Sequence, residues 1–211
     1  PPFLFILGRL QHRDDRAVAV VGTRQASVEG IRRARRLSRE LSQEGVTVTS
    51  GLARGIDTAA HIASLYAGGR TVAVIGTGVT RCYPPENAEL AQRITENGAV
   101  VSQFWPTRTP GRDTFPRRNR VTSGISQGTV VIEASSTSGA KMQARLAYEH
   151  GKQVWLLASL VSSQPWAQKM IDLGRAKMVR TTDDILHDLD PRPVAASTLT
   201  ASTLQDPLEL L

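Results

Sequence analysis

Short runs of β-branched and other apolar residues alternate along the chain with longer segments in which apolar residues recur at helical spacing. Gly, Asn or Pro separates most of these segments. This alternation is typical of an α/β fold with a parallel central sheet. Strands are predicted over residues 17–21, 46–50, 71–75, 99–102, 129–133, 153–158 and 177–179. Helices fill the gaps, with the clearest over residues 28–43, 86–96 and 139–150.

The helix predicted over residues 28–43 has an apolar side and a basic side. The apolar stripe consists of Ile31, Ala34, Leu37 and Leu41. The opposite side, interpreted as a solvated face, carries Arg32, Arg33, Arg36 and Arg39.

Glycines and prolines mark where elements and the core end. Gly98 and Gly151 follow the two later helices, and each is predicted to take the left-handed conformation that stops a helix. Pro191 and Pro193 open a stretch rich in Ser, Thr and Ala. The chain is therefore divided into one core over residues 1–189 and a flexible C-terminal tail over residues 190–211.

The composition is strongly basic, with 26 Lys and Arg against 19 Asp and Glu, a net charge of +7 and a pI of about 10.3. An anionic partner is indicated, nucleic acid before a membrane. The single Cys82 excludes an intrachain disulfide framework, and no apolar run approaches transmembrane length. A cytoplasmic protein without a membrane partner is expected.

Four loops rich in small residues follow predicted strands. Because the carboxyl ends of parallel strands meet at one edge of a sheet, where helix N-termini also lie, we expect these loops to converge on a ligand. Tight turns with no ligand would have the same composition. The loops contain Gly22, Thr23 and Arg24; Gly51, Arg54 and Gly55; Gly76, Gly78 and Arg81; and Ser138 and Gly139.

The run FPRRNRVTSGIS, residues 115–126, concentrates basic charge beside an aromatic ring. The Phe115 ring offers a face for base stacking, and Asn119 can bond a base edge or a backbone. Donors for phosphate oxygens are Arg117, Arg118 and Arg120. The competing interpretation is a solvated basic helix start.

The chain contains little that predicts catalysis. The four His and one Cys have no metal-ligand spacing, and neither G-x-S-x-G nor a Walker A lysine is present. Asp57, His61 and Glu133 are the acid–base candidates, but a helix cap, a packing histidine and a loop-orienting carboxylate are the favoured interpretations. We expect no catalytic residue, metal or cofactor, and hence no enzyme.

Six segments in order resemble the DNA-processing protein A family, also called DprA or Smf, over about residues 2–189: AVAVVGTR, TSGLARGIDTAAH, TVAVIGTGVTRCYPPEN, FPRRNRVTSGIS, VVIEASSTSGA and TTDDIL. The resemblance implies an extended Rossmann-like fold with a mostly parallel central sheet. It also implies single-stranded DNA as ligand, a homodimer, and loading of the RecA recombinase during DNA recombination and natural transformation.

The loops and the resemblance together predict one strand-binding pocket. Its residues are Gly22, Thr23, Arg24, Arg54, Gly78, Arg81, Phe115, Arg117, Arg118, Asn119, Arg120, Ser138, Gly139 and Lys141. The chain departs from the family pattern at 140–143, where Lys141 adds a cation and two hydroxyls are lost, and over 158–170.

Two alternatives use the same fold. One is a nucleotide-binding sensor or a phosphoribohydrolase-like enzyme, although ASSTSGAKMQA lacks the glutamate of the hydrolase pattern. The other is an antiphage or plasmid defence protein that uses the same strand-binding face.

Overall fold

One eight-stranded sheet organises the computed structural model, which describes residues 1–189. The strands are β1 Phe5–Gly8, β2 Ala17–Val21, β3 Thr47–Ser50, β4 Thr71–Val74, β5 Ala99–Ser102, β6 Gly128–Val131, β7 Gln153–Leu157 and β8 Lys177–Val179. Their order is β1-β5-β4-β3-β2-β6-β7-β8. All neighbours are parallel except β1, which pairs antiparallel with β5. The tail predicted over residues 190–211 lies outside the described residues.

Eight helices lie between or after the strands within residues 1–189. They are α1 Val28–Gln43, α2 Ile56–Tyr66, α3 Ala88–Asn97, α4 Thr114–Gly124, α5 Gly139–Glu149, α6 Ala158–Ser163, α7 Pro165–Asp172 and α8 Asp183–Leu186, with 3-10 turns at His12–Asp15 and Pro85–Asn87. The seven predicted strands correspond to β2 to β8, and the predicted α/β class with a mostly parallel sheet is confirmed. Within residues 1–189, none of the helices combines the length and the apolar character that crossing a membrane requires.

The sheet is buried on both faces, as the alternation along β2 illustrates. Val18 and Val20 pack in a cluster with α1 and α2, whereas Ala19 and Val21 pack in a cluster with α5, α6 and α7. Side chains of successive strand residues point to opposite faces, so helices cover both sides. The result is a three-layer α/β/α arrangement.

The first helix forms as its sequence pattern predicts. Ser27 caps its N-terminus by accepting a hydrogen bond from the Gly30 N–H at 2.9 Å. Ala34, Leu37 and Leu41 are buried on the apolar stripe, and Ile31 is partly buried. This amphipathic face holds α1 against the sheet.

Two features differ from the sequence predictions. Strand β1 was not predicted, because its four residues form an apolar run without alternation and three of them are exposed at the sheet edge. Gly98 ends α3, but its φ of −158° is extended, so the predicted left-handed stop is wrong there. The Thr71 carbonyl approaches Gly98 so closely that a Cβ would lie 2.0 Å from it. Gly151, with φ of +68°, does take the left-handed conformation.

The direction of chain winding reverses between β2 and β6. From β2 the chain proceeds through β3 and β4 to β5 on one side, then returns to β6 and proceeds to β8 on the other. At such a switch point the loops leaving two adjacent strands turn apart and leave a crevice at the carboxyl edge. The fold therefore places a cleft between the loops that follow β2 and β6.

A buried ion pair ties the turn before β2 to the strand edges. Arg70 donates to the two Asp14 carboxylate oxygens at 2.6 and 2.7 Å, and the exposed fractions of the Arg70 and Asp14 side chains are 4% and 12%. Arg70 also donates to the Asn97 carbonyl, while Asp14 accepts from the Thr47 hydroxyl and the Gln11 N–H. Burial alone would raise the pKa of Asp14, but these hydrogen bonds hold it below its ordinary value.

We predict that Asp14→Asn lowers the free energy of unfolding at pH 7 by about 3 kcal/mol, because Arg70 keeps its buried charge without a counter-charge. Urea denaturation measures the effect. The lowered pKa of Asp14 makes its contribution present above the unfolded-state pKa and lost as the pH falls through the folded-state pKa. The difference in unfolding free energy between the wild type and Asp14→Asn should therefore become smaller in acid.

Asp15→Asn is the matched control. The Asp15 side chain is 70% exposed and pairs only with the exposed His12 in the described structure, so we expect a change within about 0.5 kcal/mol. An equal loss for both variants would contradict a specific role for the buried pair.

Candidate nucleic-acid interface

A cleft of about 610 Å³ opens at the switch point between β2 and β6. The loops after β2, β3 and β6 form its walls together with α4 and the start of α5. Its lining consists of residues 21–25, Ala53, Arg54, Asp57, Phe115, Arg118, Asn119, Thr122, Ser135, residues 137–140 and Gln143. Nine of the fourteen predicted pocket residues line this one cleft: Gly22, Thr23, Arg24, Arg54, Phe115, Arg118, Asn119, Ser138 and Gly139.

Helical periodicity divides the basic run of α4 between two sides. Residues three or four positions apart share a helix face, so Phe115, Arg118, Asn119 and Thr122 face the cleft. Arg117 and Arg120 are exposed and do not line the cleft. The Arg117 guanidinium instead lies 5.1 Å from the Phe104 ring centroid, and 3.9 Å from an Asp113 carboxylate oxygen. The predicted residues of this run are therefore not gathered in one cleft, because Arg117 and Arg120 lie outside its lining.

Arg118 forms part of the cleft floor and is buried. Its Nη1 donates to the Val74 carbonyl at 2.8 Å. The guanidinium lies directly against Gly51, where a Cβ would be 1.6 Å from Nη1, so this contact requires glycine. Burial lowers the pKa of Arg118, while the nearby Asp57 charge opposes that shift. Arg118 thus supplies a fixed positive charge rather than the freely exposed phosphate donor that the sequence predicted.

Asp57 is buried beneath the same floor and stabilises the loop after β3. Its carboxylate accepts the backbone N–H groups of Gly51 at 3.1 Å and Ala53 at 3.4 Å. Burial raises the pKa of Asp57, and the Arg118 charge and these two N–H groups counteract the shift. Asp57 therefore has a structural role, but it bonds the loop before α2 and does not cap that helix, whose N-cap is Gly55, so the helix-cap interpretation is wrong.

Arg24 is the exposed cation at the mouth of the cleft. Its guanidinium carbon lies 4.9 Å from the centroid of the Phe115 ring, and the Tyr83 ring lies 6.1 Å from the same ring. Among residues 1–189, no carboxylate oxygen lies within 4.0 Å of the Arg24 guanidinium. Arg54, on the same rim, instead forms an ion pair with Glu86. Arg24 is therefore available to an incoming anion.

Glu133 connects the two loops that border the cleft. Its carboxylate accepts the Ser27 hydroxyl at 2.7 Å and the Ser27 N–H at 3.2 Å. Its carbonyl accepts the Thr23 N–H at 2.7 Å. The loop-orienting role favoured from sequence is confirmed.

The loop after β6 supplies hydroxyl groups to the lip of the cleft. Ser138 accepts the Ala140 N–H at 3.2 Å and so caps α5, whereas Ser135 and Thr137 are exposed. Neither of the last two was singled out from sequence, nor was Gln25. Their position directly after strands that end at the switch point is the signal that could have identified them.

Three further predicted pocket residues lie outside the cleft lining. Gly78 is buried against the backbone of Trp105 and Pro106, and its N–H donates to the Arg108 carbonyl at 2.9 Å. Arg81 is exposed on the loop after β4. The Lys141 amine lies 5.9 Å from the Trp166 ring centroid. These residues were grouped from sequence because loop proximity was inferred without side-chain directions.

His61 is fully buried behind the cleft. Its Nδ1 lies 2.7 Å from the Thr71 hydroxyl oxygen, and burial lowers the pKa of His61 to about 3. His61 is therefore a packing histidine, although its Nε2 is buried without a hydrogen-bond partner among the described residues, so it is not the fully satisfied histidine that was expected. Within the described part of the chain, no group of three His, Cys, Asp or Glu side chains is arranged to hold a metal ion.

Comparison with known proteins identifies similar sequences. The sequence profile of a family described as DNA recombination-mediator protein A matches residues 1–190. The chain is 44% identical to protein Smf of Escherichia coli over 158 residues, which are 74% of this chain and 42% of that protein. It is 36% identical to DNA processing protein DprA of Streptococcus pneumoniae over 192 residues, or 90% and 67% of the two chains. The chain spans about two fifths of the length of the Smf proteins of Synechocystis and Escherichia coli.

Two solved structures share the fold. The X-ray structure of the Streptococcus pneumoniae DprA superposes with a TM-score of 0.80 at 36% identity, covering 89% of this chain and 66% of the other. A DNA processing protein A from Helicobacter pylori superposes with a TM-score of 0.78 at 25% identity, covering 89% and 88%. The latter structure was described for its single-stranded DNA binding mode.

We predict that the stability of the chain falls as the pH drops from about 6.5 towards 3. Between these values unfolded His61 binds a proton that the folded chain excludes, which costs about 1.4 kcal/mol of unfolding free energy per pH unit. Replacing His61 with Gln should flatten this slope in urea titrations at pH 7, 6 and 5. His187→Gln, at a 91% exposed side chain, is the control. An unchanged slope in the His61 variant would show that another group controls the acid sensitivity.

Proposed function

Because the chain belongs to the DNA recombination-mediator protein A family, we propose that it binds single-stranded DNA in the cleft at the β2–β6 switch point and acts in DNA recombination. The observation that carries the proposal is the unpaired Arg24 guanidinium lying over the Phe115 ring at the cleft mouth. A nucleotide presents a phosphate and a flat base, and these two side chains offer one partner for each.

Binding exchanges one stacking partner of Phe115 for another. In the free protein the Arg24 guanidinium covers the ring at a distance suited to a cation–π contact, worth about 0.5–1 kcal/mol at an exposed site. An incoming strand gives Arg24 a phosphate and gives Phe115 a base. Base–aromatic stacking contributes about 1–3 kcal/mol, so the exchange favours the bound state.

The floor and walls contribute charge without reading base sequence. Buried Arg118 keeps a positive potential below the strand, and Thr23, Ser135 and Thr137 place hydroxyl donors along the rim. Arg54 can exchange its exposed partner Glu86 for a phosphate, since exposed ion pairs are weak. Contacts of this kind give affinity with little base specificity.

The cleft suits an unpaired strand better than a duplex. Stacking on Phe115 needs a base face that is not covered by a neighbouring base pair. Helix α4 lies in the floor with Thr114, Val121 and Thr122 buried, so it does not project as a helix that enters a major groove does.

We extend the proposal to two protein partners, a second copy of the chain and the RecA recombinase. Both follow from the family resemblance, in which DprA proteins dimerise and load RecA. The region from Ala158 to Met170, where the sequence departs from the family pattern, forms α6 and the first part of α7. A role in natural transformation belongs to the same extension.

We predict that single-stranded DNA of about 6 nucleotides, within the site sizes of single-strand binders, binds more tightly than blunt duplex. Arg24→Ala should weaken binding about tenfold or more and reduce the salt slope by about 0.7, because one phosphate contact is lost. Phe115→Ala should lose about 1–3 kcal/mol with an unchanged slope, since stacking releases no counterion. Fluorescence anisotropy over a salt series measures all three.

Arg145→Ala is the control for this series. Arg145 is exposed, pairs with Glu149 and does not line the cleft, so its loss should leave short-strand binding unchanged. If this variant weakens binding as much as Arg24→Ala, the attraction is diffuse and the cleft is not the site. Equal affinity for duplex would equally contradict the proposal.

We predict no release of free base from adenosine monophosphate. Asp57 is the one carboxylate in the cleft lining, and it is buried and bonded to two backbone N–H groups, while Glu133 is engaged by Ser27. Chromatography of the nucleotide after incubation with the protein measures this. Base release that exceeds a protein-free blank and disappears in Glu133→Gln would support the phosphoribohydrolase alternative instead.

A further inference from the structure

The exposed side of α1 carries four arginines, here called the arginine row: Arg32, Arg35, Arg36 and Arg39. They follow one another at helical spacing and share one shallow groove with Ala26, Val28 and Ile31. From sequence, three of them were interpreted as a solvated face. The structure adds the groove and its position.

The groove begins where the cleft ends. Arg24 and Gln25 line the cleft, and the next residue, Ala26, lines the groove. From there α1 extends through 16 residues, a length of about 24 Å. The cleft and the groove are therefore joined along the chain at Gln25 and Ala26, which places the start of the arginine row next to the Arg24 loop.

The row has an excess of positive charge. Glu29 pairs with Arg32 at 2.8 Å and Glu40 pairs with Arg36 at 2.8 Å, and all four side chains are at least 29% exposed. In residues 1–189, no carboxylate oxygen lies within 4.0 Å of Arg35 or Arg39. Exposed pairs within a helix are weak, so phosphates can compete for the paired arginines and can bind the other two directly.

Apolar side chains lie beside these charges. Val28 is 90% exposed at the first turn of α1, and Ile31 is partly buried next to it. A purely solvated helix face does not require apolar residues in the groove. Arginines and apolar surface together match a polymer with phosphates on one side and flat bases on the other.

We propose that the arginine row is a second contact surface for single-stranded DNA, and that it extends the strand path from the cleft along α1. The proposal rests on the proposed function of the cleft. Continuity with Arg24 favours a nucleic-acid strand over an acidic protein, since an isolated acidic partner would not need the row to start at the cleft.

The test compares oligothymidylates of about 6 nucleotides, which lies within the site sizes of single-strand binders, and about 20 nucleotides, which exceeds them. In the triple variant Arg32→Ala/Arg35→Ala/Arg39→Ala, we expect unchanged affinity for the short strand. For the long strand we expect a weaker affinity and a salt slope lower by about 2, which is about 0.7 for each of three phosphates. Anisotropy over a salt series gives both values, and circular dichroism verifies folding.

The matched control is Arg145→Ala/Lys169→Ala/Arg175→Ala, which removes the same charge from exposed positions on α5, on α7 and after it. An equal loss in this control would overturn the proposal, as would wild-type affinity for the long strand in the row variant. If the wild type binds the long strand but not the short strand, and the row variant loses long-strand binding, the row is supported as a contact surface and the cleft is refuted as the binding site. No binding of either strand by the wild type would refute both.

Discussion

The clamp formed by Glu133 is the interaction on which the functional side of this molecule depends. One residue at the end of β6 accepts hydrogen bonds from Thr23 through its carbonyl and from Ser27 through its carboxylate. Strands β2 and β6 are neighbours in the sheet but far apart in sequence, and their loops leave in different directions. The clamp sets the position of the Arg24 loop and the starting point of α1 together. The cleft and the start of the groove beside α1 consequently depend on the same hydrogen bonds.

The two charged residues beneath the cleft are also held by hydrogen bonds to backbone groups. Arg118 and Asp57 are both buried, and each satisfies backbone groups at the ends of β3 and β4: Arg118 donates to Val74, and Asp57 accepts from Gly51. Buried charges with fixed backbone partners are costly to move. The electrostatic floor is therefore part of the scaffold, whereas Arg24 at the mouth is held only by an aromatic contact.

Much of this architecture could be predicted from the sequence, because strand and helix periodicities are local. The convergence of the Gly22 and Ser138 loops also followed from one rule, that parallel strands end at the same sheet edge. The sequence did not predict that Arg118 lines the cleft while Arg117 and Arg120 lie outside it, because this depends on which side of α4 meets the sheet. Strand β1 was missed because its short apolar run is mostly exposed at the sheet edge, where its antiparallel pairing with β5 defines it as a strand. Long-range packing, rather than composition, decided these points.

In the free protein, Arg24 covers the face of the Phe115 ring on which a base would stack, so Arg24 competes with any incoming base for that face. The guanidinium is tethered to the loop after β2, so its effective concentration at the ring is far higher than that of a metabolite in solution. A free base or nucleoside that approaches the ring must displace this tethered occupant and offers it no anion in return. A strand supplies a base for Phe115 and a phosphate for Arg24 at the same time. In the proposed binding mode, this self-occlusion lowers the affinity of the Phe115 ring for a free base by about 0.5–1 kcal/mol, whereas a strand recovers that loss through the contact between its phosphate and Arg24.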